Sequence, residues 1–152
     1  MSGTHESGTE RASPAPVGTV LGFDFGTRKI GVALGNTITG TARALTTLRP
    51  ASNAARDAAI GALIVEWAPV SLVVGRPVHA DGREHDVTAL ADKFAAQLGR
   101  RFGLPVARVD ERYTSQLAAT AQRDGPHVRD AGRDATAAAI ILQAWLDERA
   151  AA

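Results

Sequence analysis

Cysteine is absent from this chain of 152 residues, and its absence excludes several classes of protein. Without thiols the chain can hold neither a disulfide scaffold nor an iron–sulfur cluster nor a zinc–thiolate site. A chain of this kind suits a reducing compartment, and we expect it in the cytoplasm.

Long apolar runs, aromatic residues and an excess of one charge are also lacking. The longest apolar runs stop well short of the roughly 20 residues that cross a bilayer, so we expect no membrane partner. Aromatic residues make up 5% of the chain, which gives little support to recognition of a single strand by base stacking. A formal net charge of +1 provides no global positive field for a nucleic acid, so individual basic residues must carry any such argument.

The first seventeen residues are rich in Ser, Thr, Gly, Pro and Glu and lack the apolar centre of a signal peptide. We interpret residues 1–17 as a flexible tail. The remaining length and the apolar content of 45% fit one compact domain, which we place at residues 18–149.

Short apolar and β-branched runs predict five strands. They lie at residues 19–24, 29–34, 41–48, 70–75 and 104–109. Because the connections between the first three are short, we expect those three to pair antiparallel.

Apolar spacing of three and four residues predicts helices between and after these strands. Ile60, Leu63, Ile64 and Trp67 form one helical face, which ends before Pro69. The next helix begins near residue 86, and its predicted apolar face consists of Val87, Leu90, Ala91, Phe94, Leu98 and Phe102. A short helix at 114–122, a polar loop at 123–133 and a last helix at 134–148 follow. The order predicts an α/β domain with a mixed sheet and helices on both faces.

Acidic residues occur where the predicted elements end or begin. Asp24 ends the first strand, Glu111 ends the fifth, and Asp134 opens the last helix. Sites of open α/β sheets form outside the carboxyl ends of the strands, so we expect these three acids to converge. Converging carboxylates repel one another unless a divalent cation neutralises them, and oxygen ligands favour Mg²⁺ or Mn²⁺. Such ions can activate a water for attack on a phosphodiester.

Each acid also has a purely structural interpretation. Asp24 could accept hydrogen bonds from turn amides, Glu111 could pair with Arg112, and Asp134 could cap its helix. Since successive strand side chains alternate between faces, Asp110 and Glu111 should not both point at one metal.

Four segments of the chain resemble the YqgF/RuvX family, in the order and spacing of that family. They are residues 24–33, residues 73–77 with Asp81-Gly82, residues 110–115, and residues 134–138 running into 141–143. The resemblance covers the chain from about residue 18 to residue 146. It implies an RNase H-like fold related to the RuvC Holliday-junction resolvases. It also implies a metal-dependent nuclease that matures the 5′ end of pre-16S ribosomal RNA, with the family's acids on Asp24, Glu111 and Asp134.

The chain departs from the family pattern at two places. Gly35-Asn36 replaces a Ser-Asp pair, which removes a peripheral acid, and Arg76 stands where the family usually has an apolar residue. We expect Arg76 either to contact a phosphate or to be a solvated loop arginine. Three further basic residues close to the acids in sequence are candidate phosphate contacts, unless they point away from the site: Arg28, Lys29 and Arg112.

Three functional hypotheses remain at this point. The first is a magnesium- or manganese-dependent hydrolase that processes precursor ribosomal RNA. Its substrate RNA would be bound within ribosomal assembly intermediates. The second is resolution of branched, four-way DNA at the same site, which needs two symmetric cuts and therefore a dimer. The third is a nucleotide-binding or interaction domain without hydrolysis. The sequence leaves monomer and homodimer equally open.

Overall fold

The computed structural model describes residues 16–77, 86–111 and 132–151, and of residues 132–134 and 151 it describes the backbone alone. Several expectations lie outside these residues. They are the tail up to residue 15, most of the loop after Arg76, Arg112, the short helix at 114–122 and the loop at 123–131.

Five strands form one sheet in the order β3-β2-β1-β4-β5. They are β1 (Thr19–Phe25), β2 (Ile30–Asn36), β3 (Thr41–Leu48), β4 (Ser71–Arg76) and β5 (Val106–Asp110). The first three pair antiparallel, as predicted, whereas β4 pairs parallel to β1 and β5 parallel to β4. The carboxyl ends of β1, β4 and β5 therefore lie at one edge of the sheet.

In the part of the chain that the structure describes, three helices cover the two faces of this sheet. They are α1 (Asn53–Trp67), α2 (Asp86–Phe102) and α3 (Gly132–Ala151). Side chains of α1 and α2 pack with Leu21 and Phe23 of β1 in one apolar core. Those of α3 pack with Val20 and Val73 in a second core on the opposite face. The predicted mixed sheet with helices on both faces is confirmed.

Local sequence accounts for where α1 begins and ends. The Ser52 hydroxyl accepts a hydrogen bond from the backbone N–H of Ala55 at 3.1 Å, which satisfies a donor at the helix start. At the other end Ala68 adopts a left-handed φ of 46°, and its N–H donates to the carbonyl of Ile64. Pro69 follows and disfavours a helical conformation for Ala68, so the helix stops as predicted.

The apolar face of α2 differs from the prediction. Leu90, expected in the core, is 44% exposed, whereas Thr88 is fully buried. Thr88 can lie in the core because its hydroxyl donates a hydrogen bond to the carbonyl of Pro77. The buried face is therefore rotated towards a threonine, a residue that hydrophobic periodicity does not count.

The boundaries of other elements shift by a few residues. The strand β2 continues to Asn36 because the ladder with β1 extends to the pair Thr19–Asn36. The last helix begins at Gly132, within the predicted loop.

No helix of the described residues is long and apolar enough to cross a membrane.

Glycines let α3 lie close against the sheet. A Cβ atom on Gly22 would come within 3.4 Å of the carbonyl oxygen of Ala138, and one on Gly35 within 3.2 Å of Leu146. Since Gly35 pairs with Val20 at the start of β1, α3 runs antiparallel to β1. The first turn of α3 therefore lies towards the carboxyl end of β1.

The side chain of Gln143 on α3 forms hydrogen bonds with the β2–β3 turn and with the start of β3. Its carbonyl oxygen accepts from the N–H of Ala42 at 2.9 Å, and its amide donates to the carbonyl of Gly40 at 2.8 Å. The helix thus replaces partners that this exposed end of the sheet would otherwise take from water.

We predict that Gly22→Ala lowers the free energy of unfolding by about 1–3 kcal/mol, because the new methyl would lie 2.9 Å from Cβ of Leu142 and push α3 away. The control is Gly61→Ala in α1, where the nearest atom, on Phe102, is 3.5 Å away. Alanine favours a helix by about 0.5–1 kcal/mol, so the control should be neutral or stabilising. Urea unfolding of both variants checks this, and equal midpoints would contradict the close packing at Gly22.

Candidate active site

Asp24 and Glu111 lie at the edge formed by the carboxyl ends of the parallel strands. Asp24 is the penultimate residue of β1, and Glu111 directly follows β5. Strand β4 lies between them in the sheet. Strand alternation turns both side chains to the α3 face, because Val20 and Val109, an even number of residues away, pack in the α3 core.

Gly75 allows the two acids to meet across β4. A Cβ atom at this position would lie 2.5 Å from Oε2 of Glu111 and 2.7 Å from Cδ1 of Ile141 on α3. The carboxyl of Glu111 therefore occupies the space over β4 where any larger residue would place its side chain. In this position it hydrogen-bonds with the side chain of Asp24.

The environment of Glu111 favours its neutral form. Burial, followed by the charge of Asp24 and the hydrogen bond to it, raises the pKa of Glu111 to about 8. The guanidinium of Arg108 opposes this shift, and Asp110 adds to it. Near neutral pH the Asp24–Glu111 pair therefore retains a proton. A cation bound at this place would compete with that proton for the carboxylate oxygens.

The backbone places Asp134 at the same end of the sheet. It is the third residue of α3, and α3 begins towards the carboxyl end of β1. The side chain of Asp134 lies outside what the structure describes. Among the side chains that are described, no group of three acids or histidines is close enough to hold a metal ion. The three-residue cluster thus stays a prediction, of which two members are in contact.

The predicted basic residues occupy different positions. Arg28 and Lys29 are exposed on the turn that connects β1 to β2, and Gly26 and Thr27 separate them from Phe25. Arg76 is not a loop residue: it ends β4, and strand alternation turns it away from the α3 face. Arg112 lies outside the described residues.

Asp92 of α2 binds two arginines from neighbouring strands. Its Oδ1 accepts from Nε of Arg76 at 3.1 Å and from Nη1 of Arg108 at 2.8 Å. Nε of Arg108 also donates to the carbonyl of Val74 at 3.2 Å. The hydrogen bond from Arg76, supported by Arg108, holds the pKa of Asp92 below its usual value despite partial burial. This cluster joins the ends of β4 and β5 to α2.

Sequence reasoning missed Gly75, Asp92 and Arg108. The signal for Gly75 is its position: it sits in an apolar run, one residue before the strand ends, where a side chain is otherwise expected. No comparable signal marks Asp92 and Arg108, because their contact joins a helix to a strand and depends on the tertiary fold.

We predict that Asp92→Asn lowers the free energy of unfolding at pH 7 by about 1 kcal/mol, because Asp92 is 39% exposed and solvent screens its pairs. The pKa of Asp92 is lower folded than unfolded, so its stabilisation is present above the unfolded value of about 3.9 and disappears as pH falls through the folded value. The wild type and the variant should therefore converge in thermal unfolding as pH falls through the folded pKa of Asp92. A difference that stays constant with pH would contradict the ion-pair role.

Comparison with protein families gives a match over most of the chain. Residues 18–148 match the model of the RuvX family, described as a Holliday junction resolvase. A protein of Dechloromonas aromatica, described as a candidate pre-16S rRNA nuclease, is 51% identical over 134 residues, covering 86% of this chain and 92% of the relative. One of Burkholderia cenocepacia with the same description is 48% identical, covering 86% and 89%.

Two of the solved structures with a similar fold are Holliday junction resolvases. RuvC of Thermus thermophilus in complex with a Holliday junction substrate matches with a TM-score of 0.59 and 17% identity over 87% of this chain and 95% of that one. The yeast mitochondrial resolvase Ydc2 matches with a TM-score of 0.57 and 12% identity, covering 92% and 82%. At these identities the likeness shows the fold alone, and it confirms the predicted RNase H-like, RuvC-like architecture.

Proposed function

The chain belongs to the RuvX family, and from this premise we propose that it is a hydrolase that cuts phosphodiester bonds of precursor 16S ribosomal RNA, at the 5′ end and within ribosomal assembly intermediates. One observation carries the proposal. The buried carboxyl of Glu111 reaches across Gly75 to Asp24, at the edge of the sheet where such folds place their sites.

The residues of the site fit a divalent cation. Asp24 and Glu111 offer oxygen donors alone, as Mg²⁺ and Mn²⁺ prefer, and their mutual repulsion and burial are what a cation would relieve. Asp24 and Glu111 would hold the ion, with Asp134 as a third ligand. When bound, a divalent cation acidifies water and offsets the negative charge that develops on the phosphate.

Basic residues next to these acids would bind the substrate. Arg28 and Lys29 follow Asp24 on an exposed turn, and Arg112 follows Glu111 in the chain, so we propose these three as contacts to flanking phosphates. For Arg76 the ion pair with Asp92 favours a structural role, because its fork binds a carboxylate on the other face of the sheet.

Asp24→Asn and Glu111→Gln should each reduce metal-dependent cleavage of a labelled pre-16S 5′-leader RNA by about 100-fold or more, the scale of losing a group that acts on developing charge. They should also abolish the rise in melting temperature that Mg²⁺ or Mn²⁺ gives the wild type over EDTA. Glu66→Gln, at an exposed position of α1, is the matched control. Full activity and an unchanged metal response in either site variant would refute the proposed site.

The second candidate function is resolution of four-way DNA, favoured by the family description and by the fold of the neighbours. We expect the wild type to cut the leader RNA faster than a four-way junction under the same conditions, because the close relatives carry the rRNA description. Cutting confined to the junction, by a homodimer, would establish the second function instead. Metal binding without cleavage of either substrate would support a domain that binds nucleic acid without hydrolysis.

A further inference from the structure

A second concave surface lies beside the candidate active site, on the other face of the sheet. It is a cleft of about 340 Å³ between the β1–β2 turn, the start of α1 and the middle of α2. Phe25 and Phe94 line its apolar wall, with ring centroids 4.9 Å apart. The volume lies at the lower end of the range of about 300–1,000 Å³ that is typical of ligand sites. We call this surface the turn cleft.

Every charged residue among the described residues that line the turn cleft is basic. They are Arg28, Arg56 and Lys93. The side chain of Arg56 is only 11% exposed and is held by Asp57 at 3.1 Å and Gln97 at 3.2 Å, so its charge is fixed in place. Arg28 and Lys93 are exposed at the rim. Asp57 offsets the charge of Arg56, so Arg28 and Lys93 supply the net positive charge of the cleft, which suits an anionic ligand.

The start of α1 adds to this field. Ser52 and Asn53 line the cleft, and the first turn of this 15-residue helix contains no acidic residue. The partial positive charge of the helix start is thus not offset within its own turn. Together with Arg28 and Lys93 it favours a ligand that carries a phosphate over an uncharged ligand.

The floor of the turn cleft is apolar and open to solvent. Leu90 lines the cleft with 44% of its surface exposed. Few large apolar side chains of the described residues are as exposed as this one. Phe25 is half-buried beside it. A ligand that covers Leu90 and reaches the basic rim needs a flat apolar part and a phosphate, which is the chemistry of a nucleotide.

We propose that the turn cleft binds an unpaired nucleotide next to the scissile phosphate, with its phosphate on Arg28 and Lys93 and its base over Leu90. The proposal rests on the proposed nuclease function. Asp24 and Phe25 are adjacent in β1 and face opposite sides of the sheet. A single strand that reaches Asp24 therefore enters the cleft by crossing the turn that carries Arg28.

Binding of fluorescent single-stranded leader RNA tests the proposal. It is measured with each substitution added to the Asp24→Asn variant, so that the RNA is not cleaved during the measurement. Lys93→Glu should weaken binding of an RNA that extends beyond the cleavage site by about tenfold and lower its salt dependence by about one phosphate contact. The loss should be smaller for an RNA that spans only the cleavage site. Arg100→Glu is the matched control, because Arg100 is exposed two turns further along the same helix and does not line the cleft.

A photoreactive side chain gives a second readout that needs no loss of affinity. Placed at residue 90 it should crosslink to the flanking nucleotide, whereas the same group at Val65, exposed on α1, should not. If the wild type cuts the RNA while Lys93→Glu binds like Arg100→Glu and position 90 gives no crosslink, the turn cleft is not a nucleotide site. A wild type that neither binds nor cuts RNA would instead overturn the proposed function and this proposal with it.

Discussion

The contact between Asp24 and Glu111 depends on the missing side chain of Gly75. The two acids belong to strands that are not neighbours, and β4 separates them. Only a glycine leaves the space over β4 into which Glu111 extends, and Ile141 of α3 closes that space from above. Burial and the nearby charge of Asp24 then raise the pKa of Glu111. Holding the two acids together therefore lowers the stability of the fold, which argues for a role in function. The glycine at position 75 therefore determines whether the two acids can meet.

The sheet separates two kinds of electrostatic environment. The α3 face carries the two acids, whereas the α2 face carries the Asp92 cluster and the basic turn cleft. Asp92 offsets one of the two positive charges of Arg76 and Arg108. Arg28 and Lys93 are exposed basic residues that line the turn cleft. The exposed charges of Arg28 and Lys93 would attract an anionic strand to the turn between the two faces.

Local patterns were sufficient to predict much of this structure. The apolar runs located all five strands, and short connections predicted the antiparallel pairing of β1 to β3. The position of Asp24 and Glu111 at strand ends predicted their convergence, because parallel strands end at one edge. Leu90 was placed wrongly because periodicity counts apolar residues, while Thr88 is buried through a hydrogen bond. The Arg76–Asp92 pair could not be predicted, since it depends on how α2 lies over β4.

The packing of α3 sets an order of events during synthesis. This helix follows all five strands in the chain, yet it covers the face that carries Asp24 and Glu111, and Gln143 bonds to residues about a hundred positions earlier. Such distant contacts form late, after the chain between them has been made. Until α3 has been made, the face of the sheet that carries Asp24 and Glu111 lacks the helix that covers it.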